Sequence, residues 1–435
     1  MNKADIFNVL LEWNFWRKDI QTGIKRKELT DKLDKLTAVG EVTLISGVRR
    51  CGKSTLLLQF AKQLINNGTP KEDILYINFD EPKFSKPDLS LMNDIYDVYR
   101  EHLLPQGKPF VFLDEVQRVK EWERFAKALH DRKEANVIAS GSNAQLLSKE
   151  FGTLLTGRHL DLTAYPLSFK EFLAFKNTSI DNELDLASNR FVVKNLLNEY
   201  LENGALPKVV LEQSQENKVS LLKTYFEDIL TRDVIERYKI NEIDKLKAVA
   251  IYYITNTANP HSATSISKFI ELSPDTINRF SSYLNSAYML FFVPKYSRSL
   301  KEQAVNPKKV YCIDTGLKNA VGFRTRDDFG KLMENAIFIE LKRRNKEVYY
   351  WRDRYGYEVD FIIKEGLAPN ELIQACWDLS DEKVKQREIR ALMHAMKEFN
   401  LKTATVITED MEAVEKYGDN IVQFIPITKW LLQLN

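Results

Sequence analysis

Hydrophobic and polar positions change period several times along this chain, and each change marks a predicted element. EVTLISG (41–47) alternates and ends apolar, as a buried strand does, and KSTLLLQFAKQLI (53–65) carries apolar residues at helical spacing. DILYINFDEP (73–82), PFVFLDEVQ (109–117) and NVIASGSN (136–143) read as three more strands with polar ends, and a fifth strand follows Arg158. From about Phe169 to Lys239 the pattern is helical. FVVKNLLNEYLENGALPKVV is one helix broken by Gly204 and Pro207, and LLKTYFEDILTRDVIERY is another. From Asn241 to about Leu317, three helices (DKLKAVAIYYITNTA, SATSISKFIEL and SPDTINRFSSYLNSAYML) precede LFFVPKYSRSLKEQAVNPKKVYCID, which reads as a β-hairpin. Ser273 caps the third of these helices and Pro274 takes its first position. Past about Arg324 helix and strand alternate. FGKLMENAIFIELKRR is an amphipathic helix, VYYWRD and YEVDFII form a hairpin around Gly356, NELIQACWDL is a third strand, and TATVITED follows a long helix.

Composition narrows the class. The 435 residues are 44% hydrophobic and 11% aromatic, which fits a globular chain of two to four domains. The net charge of +2 confines any nucleic-acid surface to a local patch. Cys51, Cys312 and Cys376 are far apart, with no metal spacing and no disulfide framework, so a cytoplasmic location is expected. MNKADIFNVLLEWNFW has charges inside its apolar run and makes a poor signal peptide, and no stretch approaches a membrane span.

The strand–loop–helix at 41–65 contains G-x-x-x-x-G-K-[ST] in the context that pattern requires. Gly47, Val48, Arg49, Arg50, Cys51, Gly52, Lys53, Ser54 and Thr55 form the expected ATP-binding loop. Gly47 and Gly52 let the backbone wrap an anion, and successive N–H groups with the helix N-terminus face the phosphates. Lys53 would reach the β- and γ-phosphates, Ser54 would hold Mg²⁺, and Thr55 would lie near the α-phosphate. The cradle is backbone, so Arg49 and Arg50 point away from it, toward a lid, a neighbouring subunit or DNA. Asp114, at the end of an apolar strand, would hold Mg²⁺, and Glu115 would polarise the attacking water. Ser142 or Asn143 is expected to sense the γ-phosphate or water, with a helix N-cap as the alternative. Arg158 is expected to reach the γ-phosphate of a neighbouring subunit, with a plain salt bridge as the alternative.

GVRRCGKST, INFDEP, FLDEVQRVKEWERF, ASGSN and LTGR…YPLSFKEF resemble the prokaryotic AAA+ ATPases that carry a C-terminal domain of unknown function. The resemblance covers nearly the whole chain. It implies an α/β P-loop core with an added strand between the P-loop strand and the acidic strand. RKDIQTGIKRKEL, with Arg26, resembles the segment leading into such cores, near the adenine in one placement. The expected domains are an AAA+ P-loop ATPase core (1–168), a helical lid (169–239), a winged helix (240–322) and a degenerate, α+β nuclease-like domain (323–435). In the lid, Arg232 beside Asp233 either senses phosphate or makes an intrahelical salt bridge.

In the winged helix, Thr276, Asn278 and Arg279 occupy the recognition-helix slot, and Lys295, Arg298, Lys301, Lys308 and Lys309 make the hairpin basic, which suits DNA phosphate contact. A protein-contact or structural module is the alternative. In the last domain Asp360 takes the first acid position of a nuclease fold, with Glu334 and Glu340 on the helix before it. The expected acid-x-lysine falls on Gln374–Ala375–Cys376, so Asp360 with Glu340 makes a weak metal site.

The leading expectation is an ATP-hydrolysing motor on duplex or branched DNA, assembled as a homo-oligomeric ring such as a hexamer. The bacterial Holliday-junction branch-migration motor shares this domain order. The alternatives are an ATP-dependent signalling or defence switch whose C-terminal domains bind protein, and a structure-specific nuclease.

Overall fold

The computed structural model describes residues 1–142, 157–323, 329–366 and 368–434. Contacts group the chain into two compact units, Met1–Ala164 with Ser286–Tyr288, and Tyr165–Asn285 with Met289–Asn435.

In the first unit, β1 (Val42–Ser46), β2 (Ile74–Asn78), β3 (Phe110–Asp114), β4 (Asn136–Gly141) and β5 (His159–Thr163) form a parallel sheet in the order β2-β3-β4-β1-β5. β4 lies between the P-loop strand and the acidic strand, as the resemblance implies. The two-residue period of a strand splits each run between two faces. Val42 and Leu44, Leu75 and Ile77, Val111 and Leu113, and Val137 and Ala139 join one core with helices Lys3–Trp13, Leu89–Leu103 and Trp122–Asp131. On the other face, Phe112 meets Phe60 of helix Lys53–Asn66 edge to face. With both faces covered, β1 is buried along its whole length.

The second unit begins with helices Phe169–Phe175, Arg190–Asn203, Pro207–Leu211 and Gln215–Asp228. The last continues through a wider turn, Ile229–Ile235, that contains Arg232. The second and fourth of these helices pack on helix Thr315–Val321. Next come helix Ile243–Thr255, β6 (Pro260–His261), helices Ala263–Ile270 and Pro274–Ser286, β7 (Leu290–Val293) and β8 (Lys308–Cys312), with the antiparallel order β6-β8-β7. The expected hairpin is present as β7 and β8, but a helix, Leu300–Val305, sits between them. Ser299 caps that helix through the Glu302 N–H at 3.4 Å, so local capping overrides an open basic loop.

The remaining strands are β9 (Glu347–Arg352), β10 (Glu358–Glu365), β11 (Ala368–Ala375), β12 (Thr403–Thr408), β13 (Ala413–Tyr417) and β14 (Asn420–Pro426). They form a mixed sheet, β13-β14-β12-β11-β10-β9, crossed by helix Glu382–Phe399. Among the described residues no helix is long and apolar enough to cross a membrane.

Candidate active site

The loop leaving β1 is shaped by two glycines and one arginine. Gly47 has φ 149°, and a Cβ there would lie 2.1 Å from the Ala164 carbonyl oxygen. Gly52 (φ 96°) caps the following helix in a left-handed conformation, and Arg50 (φ 70°) adopts the same region without being glycine. Val48 and Cys51 are fully buried and anchor the loop. Lys53 is 4% exposed, and its ammonium donates to the Gly47 and Val48 carbonyls at 3.0 and 3.1 Å. Ser54 is half-buried and Thr55 exposed on the first helical turn. Arg26 is buried; its guanidinium donates to the Cys51 carbonyl at 3.0 Å. Gln59 accepts from the Arg26 N–H and donates to the Thr22 and Ile24 carbonyls, clasping the upstream segment to the loop's helix.

β3 delivers the acids. Asp114 is inaccessible to solvent; its Oδ2 accepts from Tyr76 Oη at 2.7 Å, and its Oδ1 accepts from Ser140 Oγ and from the Glu115 N–H. The aligned ends of β2, β3 and β4 bring these side chains together. Burial, then the Asp114 charge, pushes the Tyr76 phenol well above its ordinary pKa, so it stays a donor. Glu115 turns with a left-handed φ of 54°. Burial raises its carboxyl above the ordinary value, Lys53 and Arg49 oppose the shift, and Asp114 adds to it. Glu115 Oε2 accepts from Gln117 Nε2, which lies 3.4 Å from Ser142 Oγ at the end of β4.

Lys53, Asp114, Glu115 and Ser142 thus meet at the ends of β1, β3 and β4. Asn143 lies outside the described residues. The fully buried Asp114 carboxylate, held from two strands, and the Ser54 hydroxyl are hard oxygen donors of the kind Mg²⁺ takes.

Arg158 lies elsewhere. Val42 pairs with His159 and Ser46 with Thr163, so Arg158 sits at the strand-start edge of the sheet, five residues or roughly 16 Å from the loop's edge. There it pairs with Asp131 at 2.8 Å. One chain does not bring Arg158 to its own loop. Arg232, with buried Asp233 beside it, lies in the second unit.

Of the residues expected to contact DNA, Asn278, Arg279, Arg298, Lys301 and Lys308 are exposed, and Lys295 is half-buried. Thr276 is half-buried, with its hydroxyl 2.9 Å from Ser273 Oγ. Lys309 is a correction. It is fully buried, and its ammonium contacts Glu334 at 3.0 Å, Glu358 at 2.7 Å and Asp360 at 2.7 Å. Burial opposes its charge, but Asp360 and Glu334 outweigh it and hold its pKa well above the lysine value. The ammonium donates to Glu334 and Asp360, with Glu358 within ion-pair distance, and is closed to solvent, so it is not presented to a phosphate.

The expected pairing of Asp360 with Glu340 is also corrected. Residues 334 and 340 lie about 120° apart around a helix. Only Glu334 reaches Asp360's cluster, while Glu340 binds Arg343 and Arg344. Gln374 accepts from the Asp360 N–H at 3.1 Å and donates to Glu388 at 2.7 Å. A cavity of about 820 Å³ opens beside Asp360, Gln374 and Trp377.

Two contributors were missed from sequence, Tyr76 and Gln117. Gln117 lies two residues after Glu115 and was available to notice; Tyr76 is tied to Asp114 only by sheet pairing.

Residues 39–173 match a family described as an AAA domain, and residues 194–328 and 329–430 match two domains of unknown function, DUF8612 and DUF4143. An uncharacterized protein of Methanocaldococcus jannaschii is 31% identical over 95% of this chain and 93% of its own length. An uncharacterized protein of Haemophilus influenzae is 29% identical over 94% and 99%. Among solved structures, the Walker-type ATPase PABY2304 of Pyrococcus abyssi aligns with a TM-score of 0.45 at 14% identity, covering 71% of this chain and 97% of that one.

Proposed function

The chain belongs to the family of the Methanocaldococcus jannaschii protein and carries an AAA ATPase domain, and on that premise we propose that it hydrolyses ATP to act on DNA. The meeting of Lys53, Asp114, Glu115 and Ser142 at adjacent strand ends carries the hydrolytic part. Residues 47–55 bind the triphosphate through backbone N–H groups, and Lys53 exchanges loop carbonyls for phosphate oxygens. Ser54 and Asp114 would hold Mg²⁺, which would supply charge neutralisation to the phosphates. Glu115 takes a proton from the attacking water. The water oxygen forms the new bond to the γ-phosphorus, and the bridging bond breaks with its electron pair going to ADP. Ser142 reads the γ-phosphate.

DNA is the proposed partner, duplex or branched. The order helix, strand, helix, helix, strand over 243–293, with β8 following the helix Leu300–Val305, supports a winged helix, with Asn278 and Arg279 exposed on its third helix and Arg298, Lys301 and Lys308 beyond it. Residues 169–239 serve as the lid and 323–435 as a degenerate nuclease-like domain used for contact. A homo-oligomeric ring gives Arg158 a γ-phosphate in the next copy.

A second reading, an ATP-dependent switch whose C-terminal half binds protein, gains from the burial of Lys309, which removes one cation from the basic surface. Nuclease activity is the least supported, because Lys309 already neutralises the acids it would need. The test is ATP turnover by wild type beside Glu115→Gln, together with DNA binding by wild type beside Arg279→Glu. Hydrolysis without DNA binding would favour the switch.

A further inference from the structure

Val116 and Val119, each 1% exposed, anchor the turn after β3 in the core. The Arg118 N–H donates to the Glu115 carbonyl at 3.0 Å and the Val119 N–H to that of Val116 at 2.9 Å, so the turn is closed on both sides. Gln117, between the two valines, reaches back over the strand ends. Its amide orientation follows from its neighbour. An ionised carboxylate only accepts, so the Gln117 nitrogen faces Glu115 and its Oε1 faces the other way. That Oε1 is buried and has no hydrogen-bond partner among the described residues. An orphaned buried acceptor at a reaction site asks for an explanation that a purely structural glutamine does not supply.

We infer that Gln117 is a positioning residue for Glu115 and couples it to Ser142. It holds Oε2 so that Oε1 of the same carboxylate is presented to the water, and its nitrogen reaches the serine that reads the γ-phosphate. Glu115 is then aimed only when the end of β4 is correctly arranged. The inference rests on the hydrolytic reading above, and the two fail separately.

The experiment compares ATP turnover and binding of a fluorescent ATP analogue in wild type, Gln117→Ala, Glu115→Gln and the double variant. Gln117→Ala is expected to lose about 10- to 100-fold in kcat, part of what a general base contributes, with analogue affinity unchanged within about twofold. In the Glu115→Gln background the same change is expected to do nothing further, because the group it positions is gone. A wild-type kcat in Gln117→Ala overturns the inference. So does a loss that persists fully in the Glu115→Gln background, or a matching loss of analogue affinity. If wild type binds the analogue and never turns over ATP, the hydrolytic reading fails instead. Gln117→Glu, which keeps the shape but sets a second carboxylate against Glu115, is expected to be at least as impaired as Gln117→Ala; turnover closer to wild type would count against the hydrogen-bond donor.

Discussion

Tyr76 Oη donates to Asp114 Oδ2 at 2.7 Å, from one strand to its neighbour, and neither side chain is open to solvent. The bond fixes the orientation of the carboxylate assigned to Mg²⁺. Tyr76→Phe keeps the ring and removes only that donor. The half-saturating Mg²⁺ concentration for turnover should rise on the order of tenfold, as second-layer losses do at metal sites, while thermal stability changes little. An unchanged Mg²⁺ requirement would show that Ser140 and the Glu115 N–H suffice.

Lys309 makes the opposite kind of prediction, one of stability. Lys309→Met leaves the buried Glu334 and Asp360 carboxylates, with half-buried Glu358 beside them, without the buried cation they share, and Lys331 reaches only Glu334. Breaking a buried ion cluster from one side costs about 3–5 kcal/mol, so urea denaturation should shift strongly. Adding Asp360→Asn to Lys309→Met should recover part of that loss. DNA affinity of the folded fraction should not change, because this ammonium never meets solvent.

Arg158 and the loop occupy opposite edges of the sheet, so any catalytic role for Arg158 requires a second copy. Arg158→Ala and Glu115→Gln should each be nearly inactive alone. Mixed in equal amounts within a ring, half the sites carry Glu115, and half of those face an intact Arg158. Activity should return to about one quarter of wild type. No recovery on mixing, with both variants still assembling, would leave Arg158 as the partner of Asp131 alone.

Asp314 supplies a pH dependence. It caps helix Thr315–Val321, accepting from the Leu317 N–H at 3.1 Å and from the Ala205 N–H at 2.7 Å. Burial raises its carboxyl from 3.8 to about 6, against the pull of those N–H groups. The folded chain therefore takes up this proton at a higher pH than the unfolded chain. Stability from this group rises as pH falls from above 6 toward 4 and levels off below. The thermal midpoint of wild type relative to Asp314→Asn should increase between pH 7 and pH 5. A gap that narrows on acidification would mean the N–H groups, not burial, set this carboxyl.

The parts of the site that were legible are those held by local backbone. Gly47, Gly52 and Lys53 lie in one continuous loop, and Asp114–Glu115 close one strand, so spacing alone located them. Tyr76 was not legible, because its relation to Asp114 exists only through the pairing of β2 with β3. Lys309 was half legible. In a strand, neighbours face opposite sides, so exposed Lys308 implied an inward residue 309, but its partners come from a helix and another strand. The helix at 300–305 had its signal in Ser299 and Glu302, which the basic residues around them obscured. Glu340 was misassigned because acids on one helix were counted without their angle around it.

ATP turnover measured with and without duplex, forked and four-way DNA tests the central claim most directly. Wild type should hydrolyse ATP faster when DNA is present, Glu115→Gln should not, and Arg279→Glu should lose the stimulation while keeping the basal rate. A basal rate that no DNA raises, from a protein that stays monomeric with ATP, would contradict a DNA-directed motor.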